Sequence, residues 1–281
     1  MIAVVLGVLI AAGFGSGDYI GGRASAAAST IAVLVVAQSC ALAVALVAAL
    51  IVHADAAPHD LVYGALAGAA NVVGLGLLYR GLAQHAAGVV APIAAVVGSL
   101  VPVTWGLVNG ERPSVVVLLG SATAIVAGAL VAREPDRAST GSFARGTTQA
   151  VAAGLALGSS LVLFAETSPR SGQWPVAVAR VSALMLVAIG AAWVAANGTL
   201  TFPGGTARVY AVGAGLFDVT ATILLVVAVR RELVVVVAPL VSLAPAFTVL
   251  LARFLDGERL HALQRIGFVL ALVGLLLVAL G

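Results

Sequence analysis

The sequence contains one stretch twice, and the first copy runs from Val89-Val90-Ala91-Pro92 to Asn109-Gly110-Glu111-Arg112. The second copy runs from Val236-Val237-Ala238-Pro239 to Asp256-Gly257-Glu258-Arg259. In both copies 19 positions separate the proline from the glutamate, and most residues between them are apolar. An apolar run of about 20 residues is typical of a membrane-spanning helix. The repeat therefore predicts a chain built from two related halves.

The composition indicates which solvent surrounds the chain. Of its 281 residues, 62% are hydrophobic and 9% are charged, whereas about 25% of residues in a soluble domain are charged. We therefore expect a lipid bilayer around the protein. The 14 basic residues are all arginines, give a net charge of +3 and form no basic stripe, so nucleic acid is not an expected partner. The single cysteine, Cys40, excludes a disulfide within the chain.

Apolar runs of membrane-spanning length occur throughout the sequence. A helix that crosses the hydrocarbon layer needs about 20 largely apolar residues. The start of the chain has no basic segment before its apolar residues, which predicts a first transmembrane helix rather than a signal peptide. Ten candidate spans follow from the runs: 2–21, 30–52, 61–80, 88–109, 114–132, 147–166, 174–196, 207–229, 233–255 and 262–281.

The longest connection between spans divides the chain into two sets of five. We predict a first repeat over 1–134, a linker over 135–146 and a second repeat over 147–281. Rare residues match between the repeats, such as Tyr63 with Tyr210. Because five is an odd number, the second repeat must enter the membrane from the opposite side. The predicted fold class is an all-α integral membrane protein with ten transmembrane helices in two inverted-topology five-helix repeats.

An acidic residue lies about halfway along the eighth span. The third span places Tyr63 and Asn71 on one helical face, and the eighth repeats that face with Tyr210 and Asp218. A carboxylate at this depth costs roughly 2.5–3.5 kcal/mol to insert, so it normally faces a cavity or a partner. We predict that Asp218 binds a solute or a coupling proton. The alternative is a structural hydrogen-bonding acid.

Arg180 is the other ionisable residue well inside a span. It could pair with Asp218, with Glu166 or with an anionic solute. It could also extend its charged end towards the lipid headgroups, because it lies only six positions after Trp174.

Glycine-rich and hydroxyl-bearing segments supply further candidates. Four glycines within the nine residues 13–21 weaken the first helix, so Ser16 could line a solute path along a broken segment. The segment could equally be a fraying helix end with Asp18 at the membrane interface. Ser159 and Ser160 could bind a solute or serve helix packing.

The two repeated prolines, Pro92 and Pro239, each lie inside a span with a serine nearby. A proline inside a helix removes a backbone hydrogen bond and kinks the helix, so both are hinge candidates or static kinks. The complete predicted substrate-binding set is Ser16, Tyr63, Asn71, Ser99, Ser159, Ser160, Arg180, Tyr210, Asp218 and Ser242.

One loop contains the only cluster that resembles metal ligands. His53, Asp55, His59 and Asp60 lie close in sequence but lack the helical spacing of a metalloprotease site. We expect a hydrated loop and no bound metal. A chain without lysine cannot contain the phosphate-binding loop of an ATPase, and no cofactor is expected.

The motifs resemble the EamA family of the drug/metabolite transporter superfamily. The resemblance is carried by Phe14-Gly15-Ser16, by the doubled Val-Ala-Pro, and by the doubled Gly-Glu-Arg with Gly120 or Gly267 nine positions after the glutamate. Those two glycines also predict close packing of the fifth and tenth spans. One departure is Gln38, which stands where members often have the arginine that Arg180 supplies in the second half.

The resemblance implies a secondary transporter rather than an enzyme. We expect it to export a small metabolite, amino acid or drug-like solute by alternating access, with proton coupling at Asp218. It is expected to be a monomer, multi-pass in the bacterial plasma (inner) membrane. The alternatives are a membrane-embedded enzyme or flippase that acts on a lipid-linked substrate, and a partner subunit that transports nothing itself.

The resemblance and the arginine distribution disagree about orientation. Family members have both termini in the cytoplasm. With the amino terminus inside, the predicted external loops hold nine arginines and the internal loops hold four. The positive-inside rule favours the reverse. We predict the orientation that the resemblance implies.

Overall fold

The computed structural model describes residues 2–52, 54–84, 87–133, 143–198, 200–257 and 260–281. His53, most of the predicted linker, and Glu258 and Arg259 of the second repeated turn lie outside these ranges. The described residues form no β-strand. They form eleven α-helices and one short 3-10 helix at Pro169–Ser171: α1 Ile2–Ser25, α2 Thr30–Ile51, α3 Pro58–Gln84, α4 Ala87–Val108, α5 Val115–Val131, α6 Phe143–Ala165, α7 Trp174–Asn197, α8 Gly205–Val229, α9 Val234–Val241, α10 Ala244–Leu255 and α11 Ala262–Leu280.

The helices have the length and composition of membrane spans. Within the described ranges, nine segments are long and apolar enough to cross a bilayer, with α9 and α10 counted together as Val234–Leu255. The fifth predicted span corresponds to α5, whose 17 residues lie at the lower end of the spanning range. Large apolar side chains such as Leu50, Val108, Ile189 and Leu280 are more than half exposed on the outer surface. A surface of this kind suits lipid, and the all-α multi-pass membrane fold is confirmed.

The large contacts between helices come in equivalent pairs, so that a contact between two helices recurs between their counterparts in the other half. Helix α1 packs along α8, and its counterpart α6 packs along α3, the counterpart of α8. In the same way, α4 packs on α6, whereas α9 and α10 pack on α1. Helix α3 packs on α7, and their counterparts α8 and α2 also pack together. Two further large contacts join counterparts to each other, α2 with α7 and α5 with α11. This exchange symmetry is what two inverted repeats produce when their helices interleave around one centre.

Small residues allow the helix backbones to approach closely. A Cβ atom at Gly68 of α3 would lie 2.0 Å from the carbonyl oxygen of Ala179 in α7. At Gly120, a Cβ atom would lie 2.8 Å from the backbone nitrogen of Val278, and at Gly267 it would lie 3.0 Å from the carbonyl oxygen of Ala127. Membrane helices often pack through such small residues, because lipid provides no hydrophobic drive for association. The predicted close packing of α5 with the last span, α11, is confirmed.

The two repeated proline helices differ in continuity. Helix α4 continues through Pro92, whereas the predicted span 233–255 is divided between α9 and α10 by two turn residues, Ser242 and Leu243. Pro239 lies inside α9, and a second proline, Pro245, lies in the first turn of α10. Pro245 has no N–H group to donate to the preceding turn, which favours a break at this point. The Ser242 hydroxyl instead donates to the carbonyl of Pro239 at 2.6 Å.

Candidate functional site

A cavity of about 1080 Å³ lies between the two halves. Its walls come from α1 to α6 and from α8 to α11, so both repeats contribute to it. It extends to Ser25, Thr30 and His261, which lie near the end of α1, the start of α2 and the start of α11. We call this end of the bundle the cavity face. The opposite end, which contains Glu111 and Arg230 in the α4–α5 and α8–α9 connections, is called the Glu111 face.

A buried arginine and a carboxylate form an ionic cluster beside the cavity. Arg180 of α7 donates to the carboxylate of Asp218, to the hydroxyl of Thr222, and at 3.3 Å to the side-chain oxygen of Gln38. The Thr222 hydroxyl also donates to the backbone oxygen of Asp218 at 2.8 Å. The cluster therefore connects α2, α7 and α8 through side-chain contacts between the halves.

The two partners of the ion pair have different exposure. The Arg180 side chain is 5% exposed, whereas that of Asp218 is 27% exposed and lines the cavity. A buried charge is tolerated when it is paired and hydrogen-bonded, and three acceptors provide this for Arg180. Asp218 thus holds the guanidinium on one side and remains open to a solute on the other.

A second carboxylate, Asp18, lines the same cavity. The first helix is continuous to Ser25, and its residues Gly17, Asp18, Gly21 and Gly22 line the cavity. A Cβ atom at Gly17 would lie 3.3 Å from the carbonyl oxygen of Ala214, so α1 packs against α8 beside the Asp218 turn. The substrate-binding prediction omitted Asp18. The available signal was an acid flanked by glycines inside an apolar run.

Residues 144–280 match the sequence model of a protein family described as "EamA-like transporter family". The likeness to the EamA-like transporter family therefore rests on residues 144–280. The family is part of the drug/metabolite transporter superfamily, as the motifs indicated, and its members are transporters.

Solved structures support the fold of the whole EamA-like chain. Seventeen chains of solved structures match it. One, described as "Crystal structure of protein", has a TM-score of 0.77 and 16% sequence identity, and the match covers 100% of this chain and 98% of that one. At this identity the likeness concerns the fold alone. No curated protein matches the sequence.

Some predicted site residues of the EamA-like chain line the cavity. Besides Asp218, the cavity walls include Ser99 and Ser242. Arg180 does not line the cavity, but its hydrogen-bond partners Asp218 and Gln38 do. Pro239 is buried, and neither it nor Pro92 contributes to the lining, although Ala91 and Ala238 beside them do.

Other predicted residues make contacts outside the cavity lining. Ser160 donates to the Ala67 carbonyl at 2.8 Å and so joins α6 to α3. The Tyr63 ring meets His59 edge to face at 6.3 Å between ring centroids, and the Arg23 guanidinium lies 5.8 Å from the Tyr210 ring centre. The residues of the predicted set that do not line the cavity are Ser16, Tyr63, Asn71, Ser159, Ser160, Arg180 and Tyr210.

Glu111 of the first repeated turn connects the halves at the Glu111 face. Its carboxylate accepts the backbone N–H groups of Val234 and Val235 at 2.8 and 2.9 Å. These are the first N–H groups of α9, so Glu111 caps a helix of the other half and lies at the positive end of its dipole. Glu166, another possible partner of Arg180, instead accepts from the Trp105 indole at 2.9 Å.

Arg230 adds further contacts between connections at the Glu111 face. Its guanidinium donates to the Gly172 carbonyl at 2.7 Å and to the hydroxyls of Thr167 and Ser171 at 2.6 and 3.0 Å. Burial lowers the pKa of the Arg230 side chain, and the nearby Asp60 carboxylate opposes that change. Together with Glu111, these contacts hold the connections of this face together while the cavity extends to the other face.

The loop that resembled a metal site contains only one close pair within the described ranges. His59 Nε2 lies 3.1 Å from a carboxylate oxygen of Asp60, and that carboxylate also accepts the backbone N–H of Ser168 at 2.8 Å. The described residues contain no group of three or more side chains that could hold a metal ion.

Proposed function

We propose that the protein is a secondary transporter that moves a small metabolite, amino acid or drug-like solute by alternating access. The observation that supports this is a cavity between the two halves that reaches one face and is separated from the other by cross-half contacts. A solute that entered from the cavity face would meet Asp218, Asp18, Ser99 and Ser242 before any contact of the Glu111 face. We further propose export across a bacterial plasma membrane.

The exchange symmetry of the helices suggests how the second state arises. If each half adopted the conformation of the other, the cavity would extend to the Glu111 face and close at the cavity face. The cluster of Arg180 and Asp218 lies where helices of both halves meet. It would therefore remain near the solute in both states.

Asp218 is the proposed site of proton coupling. In the ionised form it holds Arg180, and in the protonated form it would lose most of that attraction. A proton and a solute could therefore compete for the same carboxylate, which is the exchange that a proton-driven exporter requires. Thr222 and Gln38 would keep Arg180 hydrogen-bonded in either form.

Solute flux through the purified protein tests the proposal. A thermal-shift screen against amino acids, metabolites and cationic drugs would first select a solute, and flux would then be measured in proteoliposomes with an imposed pH gradient. We expect gradient-dependent flux in the wild type. Empty liposomes are the control. Lipid translocation without solute flux would favour a flippase and overturn the proposal.

The coupling role has its own test, Asp218→Asn. The variant keeps the size of the side chain and removes the titratable group, so we expect flux driven by the pH gradient to disappear. Counterflow of the same solute without a gradient would show whether the cavity still operates. Unchanged pH dependence in a correctly inserted variant would overturn the coupling role.

A further inference from the structure

We propose that the cavity selects solutes that carry an ammonium group and that Asp18 is the carboxylate that binds it. The proposal rests on the transport function proposed above and names the chemical class of its solute.

The charges that face the cavity do not balance. Among the residues whose side chains the structure describes, which exclude 79–89 and 134–145, its lining contains two carboxylates, Asp18 and Asp218, and no arginine. Arg180 compensates Asp218 from behind. His261 also lines the cavity, near its mouth. The Asp18 carboxyl group therefore has no cationic partner in the described part of the wall.

Asp18 is accessible and has room in front of it. Its side chain is exposed, in the same cavity that Gly17 and Gly22 line. A Cβ atom at Gly22 would meet nothing within 4 Å, so no neighbouring side chain fills the space. Within the described residues, Asp18 has no hydrogen-bond donor or cation as a partner, and its interaction with Asp218 is repulsive. A cationic solute would remove that repulsion.

The nearby cation of Arg23 is already engaged elsewhere. Its guanidinium pairs with Asp256 and lies near the Tyr19 and Tyr210 rings, and it is not part of the cavity lining. Tyr19 donates to Asp256 at 2.7 Å. The only cation of the first helix is thus held at the mouth by an acid of the second half, and Asp18 is left for the solute.

Anionic solutes have no accessible cation in the described wall. The terminal nitrogens of Arg180 are bonded to protein acceptors, and its unpartnered Nε is buried. An anion in the cavity would meet two carboxylates instead, and like charges repel strongly where water is scarce.

The remaining wall indicates the rest of the solute. Apolar side chains cover much of the cavity surface beside Asp18, and they would favour an apolar body attached to the ammonium group. They include Phe14, Leu34, Leu75, Val241 and Val249.

A matched pair of probes tests the selection. Binding of 2-phenylethylammonium and of neutral 2-phenylethanol would be measured by calorimetry with the protein in nanodiscs at pH 7. We expect the wild type to bind the ammonium at least tenfold more tightly than the alcohol, because the two differ mainly in charge. In Asp18→Asn the ratio should fall to near one while the affinity for the alcohol is unchanged. Asp55→Asn, which removes an exposed acid at the Glu111 face, should keep the preference.

Each outcome separates this inference from the transport function. An equal affinity for both probes in the wild type, no ammonium binding at millimolar concentration, or a preference that survives in Asp18→Asn would overturn it. If Asp18→Asn also lost its affinity for the alcohol, the variant Asp18→Glu would be measured next. A restored preference for the ammonium in Asp18→Glu would support binding by the carboxylate, and an equal affinity for both probes would overturn it. Ammonium selectivity without solute flux would leave this site in place and refute the transport function. Solute flux without a preference for the charged probe would leave the transport function in place and refute the ammonium site.

Discussion

Asp218 contacts a buried arginine on one side and the cavity on the other. Arg180 is buried and needs a counter-ion, whereas the cavity offers Asp218 partial access to water and to solutes. Removing one partner of a buried ion pair is costly because the remaining charge is left uncompensated. The acid is therefore as much a structural element for α7 as a candidate coupling group.

The variant Arg180→Met tests this dual role at the residue scale. It leaves Asp218 without its cation and removes three hydrogen bonds, so we expect a loss of roughly 3 kcal/mol, since Asp218 is partly solvated. The double variant Arg180→Met/Asp218→Asn should recover most of that stability, because no uncompensated charge remains. Thermal unfolding in detergent measures both. Equal stability of the single and double variants would contradict the expected pairing energy.

At the residue scale, the sequence contained one clear signal, which is the depth of a charged residue within its apolar run. Asp218 and Arg180 lie far inside apolar runs, so the cost of burying charge marked them as partners or site residues. Asp18 was ambiguous, because an acid seven positions before the end of its helix suits either the interface or a cavity. Only the packing of α1 on α8 distinguishes these positions.

Helix α9 begins at a carboxylate from the other half. Its own residue before the helix, Leu233, provides no side-chain cap, so its first N–H groups depend on Glu111. The repeated Gly-Glu-Arg turn thus has a physical role in its first copy, which is to close the Glu111 face. Gly110 has a φ of 96°, a conformation that favours glycine and turns the chain towards α9.

Glu111→Gln tests the cap at the element scale. Losing a cap of this kind costs about 1 kcal/mol, which corresponds to roughly fivefold in the population of states with this face separated. In a Cys40→Ser background, the buried residue Val236 can be replaced by cysteine, and its labelling should become about fivefold faster.

The matched control for Glu111→Gln is Asp55→Asn. It removes an equal charge from an exposed residue at the same face and should leave the labelling rate unchanged. Equal labelling in the Glu111 variant and the wild type would show that the cap does not hold this face.

Two glycines of α3 provide a second test at this scale. Gly68→Ala would bring a methyl group to 2.0 Å from a backbone oxygen of α7, which only a shift of the helices can relieve. We expect a loss of about 1–3 kcal/mol. Gly76→Ala on the same helix meets nothing within 4 Å, and alanine favours a helix, so it should be neutral or stabilising by up to about 1 kcal/mol. Thermal unfolding distinguishes the two, and equal losses would contradict this explanation.

Element boundaries were less predictable than element positions. Apolar length located the spans, because crossing the hydrocarbon layer sets a minimum length. The break between α9 and α10 was not predicted, although Pro239 and Pro245 were both visible. Pro92 and Pro102 occur in α4 without ending it, so proline content alone does not distinguish a kink from a break. Tertiary packing decides between them.

At the scale of the whole molecule, the doubled stretch predicted two related halves and the structure shows how they interleave. Helices of both halves form the cavity wall, and α1 packs on α8 while α6 packs on α3. Either half alone would therefore lack part of the wall and expose the helix faces that contact the other half. Sequence similarity could reveal the repeat but not this interleaving. Contacts between the halves depend on three-dimensional positions that no local pattern encodes.

The orientation of the whole molecule follows from labelling two faces of intact cells. We expect the Glu111 face in the cytoplasm, as the family resemblance implies, and the cavity accessible from outside. In the Cys40→Ser background, Ser25→Cys at the cavity should react with a membrane-impermeant thiol reagent in intact cells. Asp55→Cys at the Glu111 face should react only after permeabilisation. The reverse pattern would mean that the arginine distribution sets the topology, because the cavity face would then hold the larger number of positive charges inside the cell.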